Sequence, residues 1–233
     1  MMNRLSAALE SERKSLLAYI VAGDPDREAT LELMHDLVRS GVDGIELGVP
    51  FSDPEAEGPV IQLAHERALR SNTSLEHCLG IVRDFRETDR RTPVILMGYL
   101  NPVESMGYEK FANRAAKSGV DGLIIVNLPP EEASVLKESL RRNSLDLIYL
   151  VAPTTTQQRM EMICSESSGF VYYVSLKGTT GAGTLDVKEV ESKLERLRSA
   201  SNLPILVGFG IKNRETAAAV GAHADGVVVG SAI

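Results

Sequence analysis

Gly44-Ile45-Glu46-Leu47-Gly48-Val49-Pro50-Phe51-Ser52-Asp53-Pro54-Glu55-Ala56-Glu57-Gly58-Pro59 falls into two halves. The first reads as a strand, with Ile45, Leu47 and Val49 apolar at a spacing of two. The second is punctuated by Pro50, Pro54, Gly58 and Pro59, none of which continues a hydrogen-bonded ladder, so it reads as a mobile loop. Glu46 breaks the apolar run. A carboxylate on a strand covered on both faces costs several kcal/mol unless it is paired, solvated or protonated, so it marks a partner or a task. Eleven residues on, Glu57 adds a second carboxylate from the loop. The pair suits proton transfers at two places on one substrate; the plainer alternative is a structural Glu46 held by backbone amides and a solvated Glu57.

Working outward, the same strand–loop–helix unit recurs along the chain. Strands are expected at Leu16–Ala22, Asp43–Val49, Thr92–Met97, Asp121–Val126, Leu145–Val151, Gly169–Ser175, Pro204–Phe209 and Asp225–Val229. Helical spacing of apolar residues places helices between them, at Arg27–Ser40, Val60–Leu69, Ser74–Phe85, Tyr108–Ser118, Glu131–Arg142, Thr156–Ser165, Val187–Ala200 and Arg214–Val220. Gly98–Pro102 reads as a loop. Ser74 is an expected N-cap, but His77 stands where a capping box has glutamate, so no box is expected. Asn3–Arg13 reads as a short extra helix able to plug one end. Eight nearly continuous apolar strands alternating with helices imply a parallel α/β sheet closed as a (β/α)8 TIM barrel, one domain over residues 1–233. The doubly wound alternative lacks a GxGxxG after the first strand. A Val/Ala-Asp-Gly motif precedes three strands, with its aspartate at Asp43, Asp121 and Asp225, and hints at an internal repeat. The chain stops at Ile233, with the last outer helix expected to be missing.

Composition excludes several functions. A net charge of −7 and a pI near 5.2 argue against nucleic-acid binding. No apolar run reaches the ~18 residues of a membrane span, and the N-terminus lacks the core of a signal peptide. Cys78 and Cys164 are far apart and read as buried thiols in a reducing compartment. The expected setting is the cytoplasm.

In a barrel, chemistry gathers on the loops that follow the strands. These carry Gly23-Asp24, Glu46 with its loop, Tyr99 and Asn101, Asn127, Ser175–Gly183, Gly208-Phe209-Gly210 and Gly230-Ser231. The glycines of the last three loops either cradle a phosphate on backbone amides or simply turn the chain. Tyr172 either offers its hydroxyl to Glu46 or packs in the core. His35, His65 and His77 read as outer-helix residues and His223 precedes the eighth strand, so no metal site is expected. No nucleophile elbow is present. Metal-independent acid–base chemistry on a phosphorylated substrate fits best.

The run Glu46-Leu47-Gly48-Val49-Pro50-Phe51-Ser52-Asp53-Pro54, with Gly58-Pro59-Val60-Ile61-Gln62 behind it, closely resembles the signature of the tryptophan synthase alpha subunit family. The resemblance extends from about Leu16 to Ile233 and takes in Gly208-Phe209-Gly210-Ile211 and Gly230-Ser231-Ala232-Ile233. It implies a lyase cleaving indole-3-glycerol phosphate to indole and glyceraldehyde 3-phosphate in tryptophan biosynthesis. It also implies an alpha2-beta2 assembly with a beta subunit, reached through Asp53 and Pro54, and a pyridoxal phosphate held only by that partner. By position, Glu46 takes the acid–base role and Glu57 holds the indole N–H, where the family typically has aspartate. Tyr19, Met97, Tyr172, Thr180 and Phe209 take substrate-binding places, and Gly181, Gly210, Gly230 and Ser231 the phosphate site. Asn127 stands where the family commonly has aspartate. Two other readings stay open: a catalytically weakened barrel that mainly activates the beta subunit, and a metal-free sugar-phosphate isomerase.

Overall fold

The computed structural model describes residues 3–10, 13–175 and 187–233. A short helix α1 (Arg4–Leu9) leads into β1 (Ser15–Val21), α2 (Arg27–Arg39), β2 (Gly44–Gly48), α3 (Pro59–Arg70) and α4 (Leu75–Phe85). Then come β3 (Val94–Gly98), α5 (Leu100–Met106), α6 (Tyr108–Ser118), β4 (Gly122–Ile125) and α7 (Ser134–Arg142). The chain continues with β5 (Asp146–Ile148), β6 (Leu150–Val151), α8 (Gln157–Glu166) and β7 (Val171–Val174). It finishes with α9 (Val187–Ala200), β8 (Ile205–Gly208), α10 (Arg214–Gly221) and β9 (Gly226–Val229). All pairings are parallel, in the order β5-β4-β3-β2-β1-β9-β8-β7-β6.

The expected fifth strand is broken at Tyr149, and the break is where the barrel closes. β5 pairs with β4 and β6 pairs with β7, so the two ends of the sheet are consecutive pieces of one strand. The carbonyl of Tyr149 still accepts from the Tyr172 N–H at 3.2 Å. One strand thus serves two neighbours in turn, which is why eight expected strands appear as nine.

Alternation on β1 and β2 sorts the core into two layers. Leu17, Tyr19 and Val21 point into the barrel with Ile95, Met97, Ile124, Ile148, Tyr172, Leu206 and Val228. Ile20, Ile45, Leu47 and Val49 point outward, where Met34 and the α4 side chains Leu79, Val82 and Phe85 cover them. Tyr19, Glu46 and Ile95 are register partners across β1, β2 and β3. Glu46 is therefore an inward position between two outward ones, so the break in the apolar run has a geometric reason.

The foot of the barrel explains the repeated motif. The Asp43, Asp121 and Asp225 N–H groups donate to the carbonyls of Leu16, Val94 and Ile205, at 2.8, 2.9 and 2.9 Å. Each aspartate's Oδ2 then accepts the N–H of that same residue, at 2.9, 2.8 and 2.9 Å. Each carboxylate also meets arginine: Arg13 on Asp43, Arg4 and Arg86 on Asp121, and Arg198 on Asp225. The motif is a clasp that starts one strand beside its neighbour. α1 closes this end, with Leu5 and Leu9 buried against the inner layer and Arg4 reaching Asp121 at 2.8 Å.

Three local expectations are corrected. Gly98–Pro102 is not wholly loop: α5 begins at Leu100, with Pro102 in its first turn, where a missing N–H breaks no helical bond. The helix expected from Glu131 is a 3-10 turn (Pro130–Glu132) followed by α7. The start of α4 is boxed after all, because His77 Nδ1 accepts from the Ser74 N–H at 3.2 Å, as a glutamate oxygen would. Cys78 and Cys164 are buried free thiols on α4 and α8, as expected. No helix of the described residues is long and apolar enough to cross a membrane.

Candidate active site

A cavity of about 270 Å³ opens at the mouth, the C-terminal end of the strands. Tyr19, Glu46, Glu57, Met97, Tyr172, Phe209, Gly210, Gly230 and Ser231, all selected from the sequence, line it together. Thr180 and Gly181 lie outside the described residues, as does the rest of the sixth loop from Leu176 to Gly183.

Glu46 is only 1% exposed, and neither carboxyl oxygen has a hydrogen-bond partner among the described residues. Burial pushes its pKa well above the usual carboxylate range, and the Glu57 charge pushes it further. Glu57 is 5% exposed, and burial raises it to about 7. The solvated loop charge is thereby overturned. The two environments differ: Glu57 is the less buried of the pair, and a charge on it favours a proton on Glu46.

The loop after β2 is tied down rather than loose. Tyr99 Oη accepts from the Ala56 N–H at 3.0 Å, and the Phe51 ring stacks on Tyr99 with centroids 4.7 Å apart. Gln62 on α3 donates to the Glu57 carbonyl at 2.9 Å. Asp53 is exposed at the tip beside a half-buried Pro54.

Two glycines make room for two tyrosines. A Cβ on Gly48 would stand 2.4 Å from the Tyr19 hydroxyl, and one on Gly208 would stand 2.1 Å from that of Tyr172. Both hydroxyls have pKa values raised by burial first and by Glu46 and Glu57 next, so both remain proton donors. Tyr172 lines the cavity with the carboxyls and packs in the inner core, but its hydroxyl makes no hydrogen bond to Glu46, whose oxygens have no partner among the described residues. Phe209 meets the Tyr172 ring edge-on, with centroids 6.4 Å apart, and turns the chain with φ at +69°. Gly210, Gly230 and Ser231 follow on the exits of β8 and β9, beside Tyr19 and Phe209.

Other mouth residues are occupied structurally. Asp24 takes a two-point bond from Arg67 at 2.6 and 2.7 Å. Asn127 Oδ1 accepts the first N–H of α5, on Leu100, at 2.8 Å. Ser175 donates toward the carbonyls of Gly208 and Phe209. Asn101 is exposed on α5.

Sequence reasoning missed Lys212, the cation on the cavity wall near Gly210, which was visible as the basic residue after Gly208-Phe209-Gly210-Ile211. It also missed His65, taken as an outer-helix residue. His65 is 2% exposed on the inner side of α3 and touches both the β2 loop and Tyr19.

The comparisons with known proteins agree with this geometry. A family model described as tryptophan synthase alpha chain matches residues 5–233. A tryptophan synthase alpha chain of Marinobacter nauticus is 56% identical over 229 residues, covering 98% of this chain and 85% of the relative. The crystal structure of tryptophan synthase subunit alpha from Legionella pneumophila superposes with a TM-score of 0.91 at 48% identity, covering 100% of this chain and 87% of that one. A chain of the tryptophan synthase complex from Pyrococcus furiosus gives 0.84 at 37% identity, covering 94% and 88%. A barrel whose mouth buries two carboxyl groups, with a match along nearly all its length, belongs to the tryptophan synthase alpha chain family, the carbon–carbon lyases that release indole from indole-3-glycerol phosphate in tryptophan biosynthesis.

Proposed function

We propose that Glu46 is the acid–base group of the retro-aldol cleavage and that Glu57 holds the indole N–H. The observation that carries this reading is Glu46 itself: buried, raised in pKa, and without a partner for either oxygen among the described residues. A group left in that state is a proton donor waiting for a substrate atom. Glu46 delivers its proton to indole C3, and the ring nitrogen takes up the positive charge. Glu57, ionised, accepts the N–H hydrogen bond and stabilises that charge. The electrons of the bond between C3 and the glycerol carbon return to the ring. The hydroxyl on that carbon gives its proton to the Glu46 carboxylate as it becomes the aldehyde. One proton has gone on and one has come off, so indole and glyceraldehyde 3-phosphate leave with Glu46 protonated again.

Phosphate binding falls to the amides around Gly210 and Gly230, to Ser231 and, when it is in place, to Gly181; Lys212 adds the nearest charge. Tyr19, Met97, Tyr172, Thr180 and Phe209 bound the rest of the substrate. The reaction asks no cofactor of this chain, and pyridoxal phosphate belongs to the beta subunit. The exposed Asp53 and the adjoining Pro54 present the β2 loop to that partner in an alpha2-beta2 assembly in the cytoplasm.

The test is indole release from indole-3-glycerol phosphate by the whole chain, alone and with a beta subunit, for the parent and for Glu46→Gln. Turnover in the parent, stimulated by the partner and lost in the variant, is the expected result. A folded parent that binds the partner but releases no indole would favour a non-catalytic activator instead.

A further inference from the structure

His65 has a place in the site that its position on a helix conceals. Its Nδ1 lies 3.1 Å from the Phe51 backbone nitrogen, whose N–H donates to it. A backbone N–H can only donate, so Nδ1 must be the unprotonated nitrogen and the ring proton must sit on Nε2. Nε2 lies 3.3 Å from the Tyr19 hydroxyl, so this contact is a donation from His65 to Tyr19 Oη. Among the described residues it is the only hydrogen bond that hydroxyl makes. With its oxygen engaged by His65, the hydroxyl has its own proton left to give. The surroundings fix where it can go: Gly48 leaves the hydroxyl room, and the carboxyls of Glu57 and Glu46 share the cavity.

We propose that His65 is a positioning residue of the lyase site. Held neutral with its proton on Nε2, it turns Tyr19 into a hydrogen-bond donor facing the cavity, and through Nδ1 it fastens Phe51, near the start of the loop that carries Glu57, to α3. The bond from Phe51 does not survive a doubly protonated ring, since Nδ1 would then meet the Phe51 N–H proton to proton, although Nε2 would still donate to Tyr19. Burial supports the neutral state by pushing the imidazole down to about 4, against the opposing pull of Asp24. The indole N–H can only donate, so within a complex the Tyr19 proton has the Glu57 carboxylate or a glycerol oxygen as its acceptors. The inference rests on the lyase reading for its kinetic consequence, though not for its geometry.

The test uses the whole chain with the beta subunit present and five proteins, the last of them His65→Leu. Tyr19→Phe removes only the hydroxyl. His65→Asn keeps an acceptor near the Nδ1 position and loses the Nε2 donor. The third is the double variant, and the fourth is the parent labelled with 15N at histidine. Losing one hydrogen bond aimed at a reacting group should lower kcat/KM by up to about tenfold in either single variant. The double variant should be no slower than the slower single, because both delete the same link. The 15N shifts should show Nε2 protonated and Nδ1 bare in the parent. His65→Leu, which also deletes the acceptor, should speed hydrogen exchange at the Phe51 amide. Full activity in Tyr19→Phe, multiplicative losses in the double variant, or a proton on Nδ1 would each overturn the proposal. Should the His65 variants fail to fold, the parent's tautomer and the Tyr19→Phe kinetics still decide it. A parent that releases no indole would instead refute the lyase reading, and the tautomer would still report on the geometry.

Discussion

The two ends of this barrel treat buried carboxyl groups in opposite ways. At the foot, Asp121 is surrounded by donors: the Val94 N–H at 2.8 Å, Arg4 at 2.8 Å and Arg86 at 2.9 Å. At the mouth, Glu46 is as deeply buried and has no such donor among the described residues. Burial raises the pKa of both, but at Asp121 the Val94 N–H, Arg4 and Arg86 pull against it, while at Glu46 the charge of Glu57 pushes the same way. One arrangement holds strands together; the other, on the proposed reading, holds a proton for use. The difference teaches that burial alone does not mark a functional acid; the absence of compensating donors does.

The contrast can be broken most sharply at Glu46. Glu46→Gln should cost on the order of 10²–10⁴-fold in indole release, because a general acid–base is removed, while thermal stability stays level or rises. A variant that unfolds more readily would mean that the carboxyl was structural. Asp121→Ala should do the reverse. Taking its nearer carboxylate from the buried Arg86, and an acceptor from the Val94 N–H, should cost about 3 kcal/mol in denaturant unfolding, with kcat per folded molecule unchanged. A loss of turnover without loss of stability would erase the distinction between the two ends.

Glu57 gives a pH-dependent version. Its folded pKa of about 7 lies above that of an unfolded glutamate, so the folded state binds more protons between the two values and loses stability as pH rises. Comparing the parent with Glu57→Gln, the variant should gain relative stability progressively from about pH 4.5 to about pH 7, by at most about 3 kcal/mol. A flat difference would place Glu57 in solvent. The smallest effect belongs to Asp225→Asn, at a more open clasp. Losing one charge-assisted bond there should cost about 1–2 kcal/mol in urea unfolding and leave kinetics alone.

Much of this was legible in the sequence because the signal was local. Glu46 stood out by interrupting an alternation that continues on both sides, and the strand–helix alternation was strong enough to give the barrel. The Val/Ala-Asp-Gly repeat was visible as a pattern, although its meaning, an aspartate clasping the neighbouring strand, needed partners 27, 27 and 20 residues away. His65 was hidden for the same reason. Its contacts lie 14 and 46 residues distant, and nothing in the helical spacing of α3 shows which neighbours the inner face meets. Glu57 looked mobile because prolines and glycines punctuate its loop, yet side chains from the exit of β3 and from α3 hold that loop in place. The divided fifth strand follows from closure, which is a property of the whole sheet and not of Leu145–Val151. The box at Ser74 was missed because His77 supplies with a ring nitrogen what is usually read from a carboxylate.

The account turns on one chemical state, a protonated Glu46 at the mouth of the barrel. Infrared difference spectroscopy of the parent against Glu46→Gln, both at pH 7 without substrate, tests it most directly. A carboxylic acid C=O band present in the parent and missing from the variant is the expected result. A carboxylate signal at Glu46 under those conditions would mean that it is ionised and stabilised by a donor, and the contrast between the two ends of the barrel would fail.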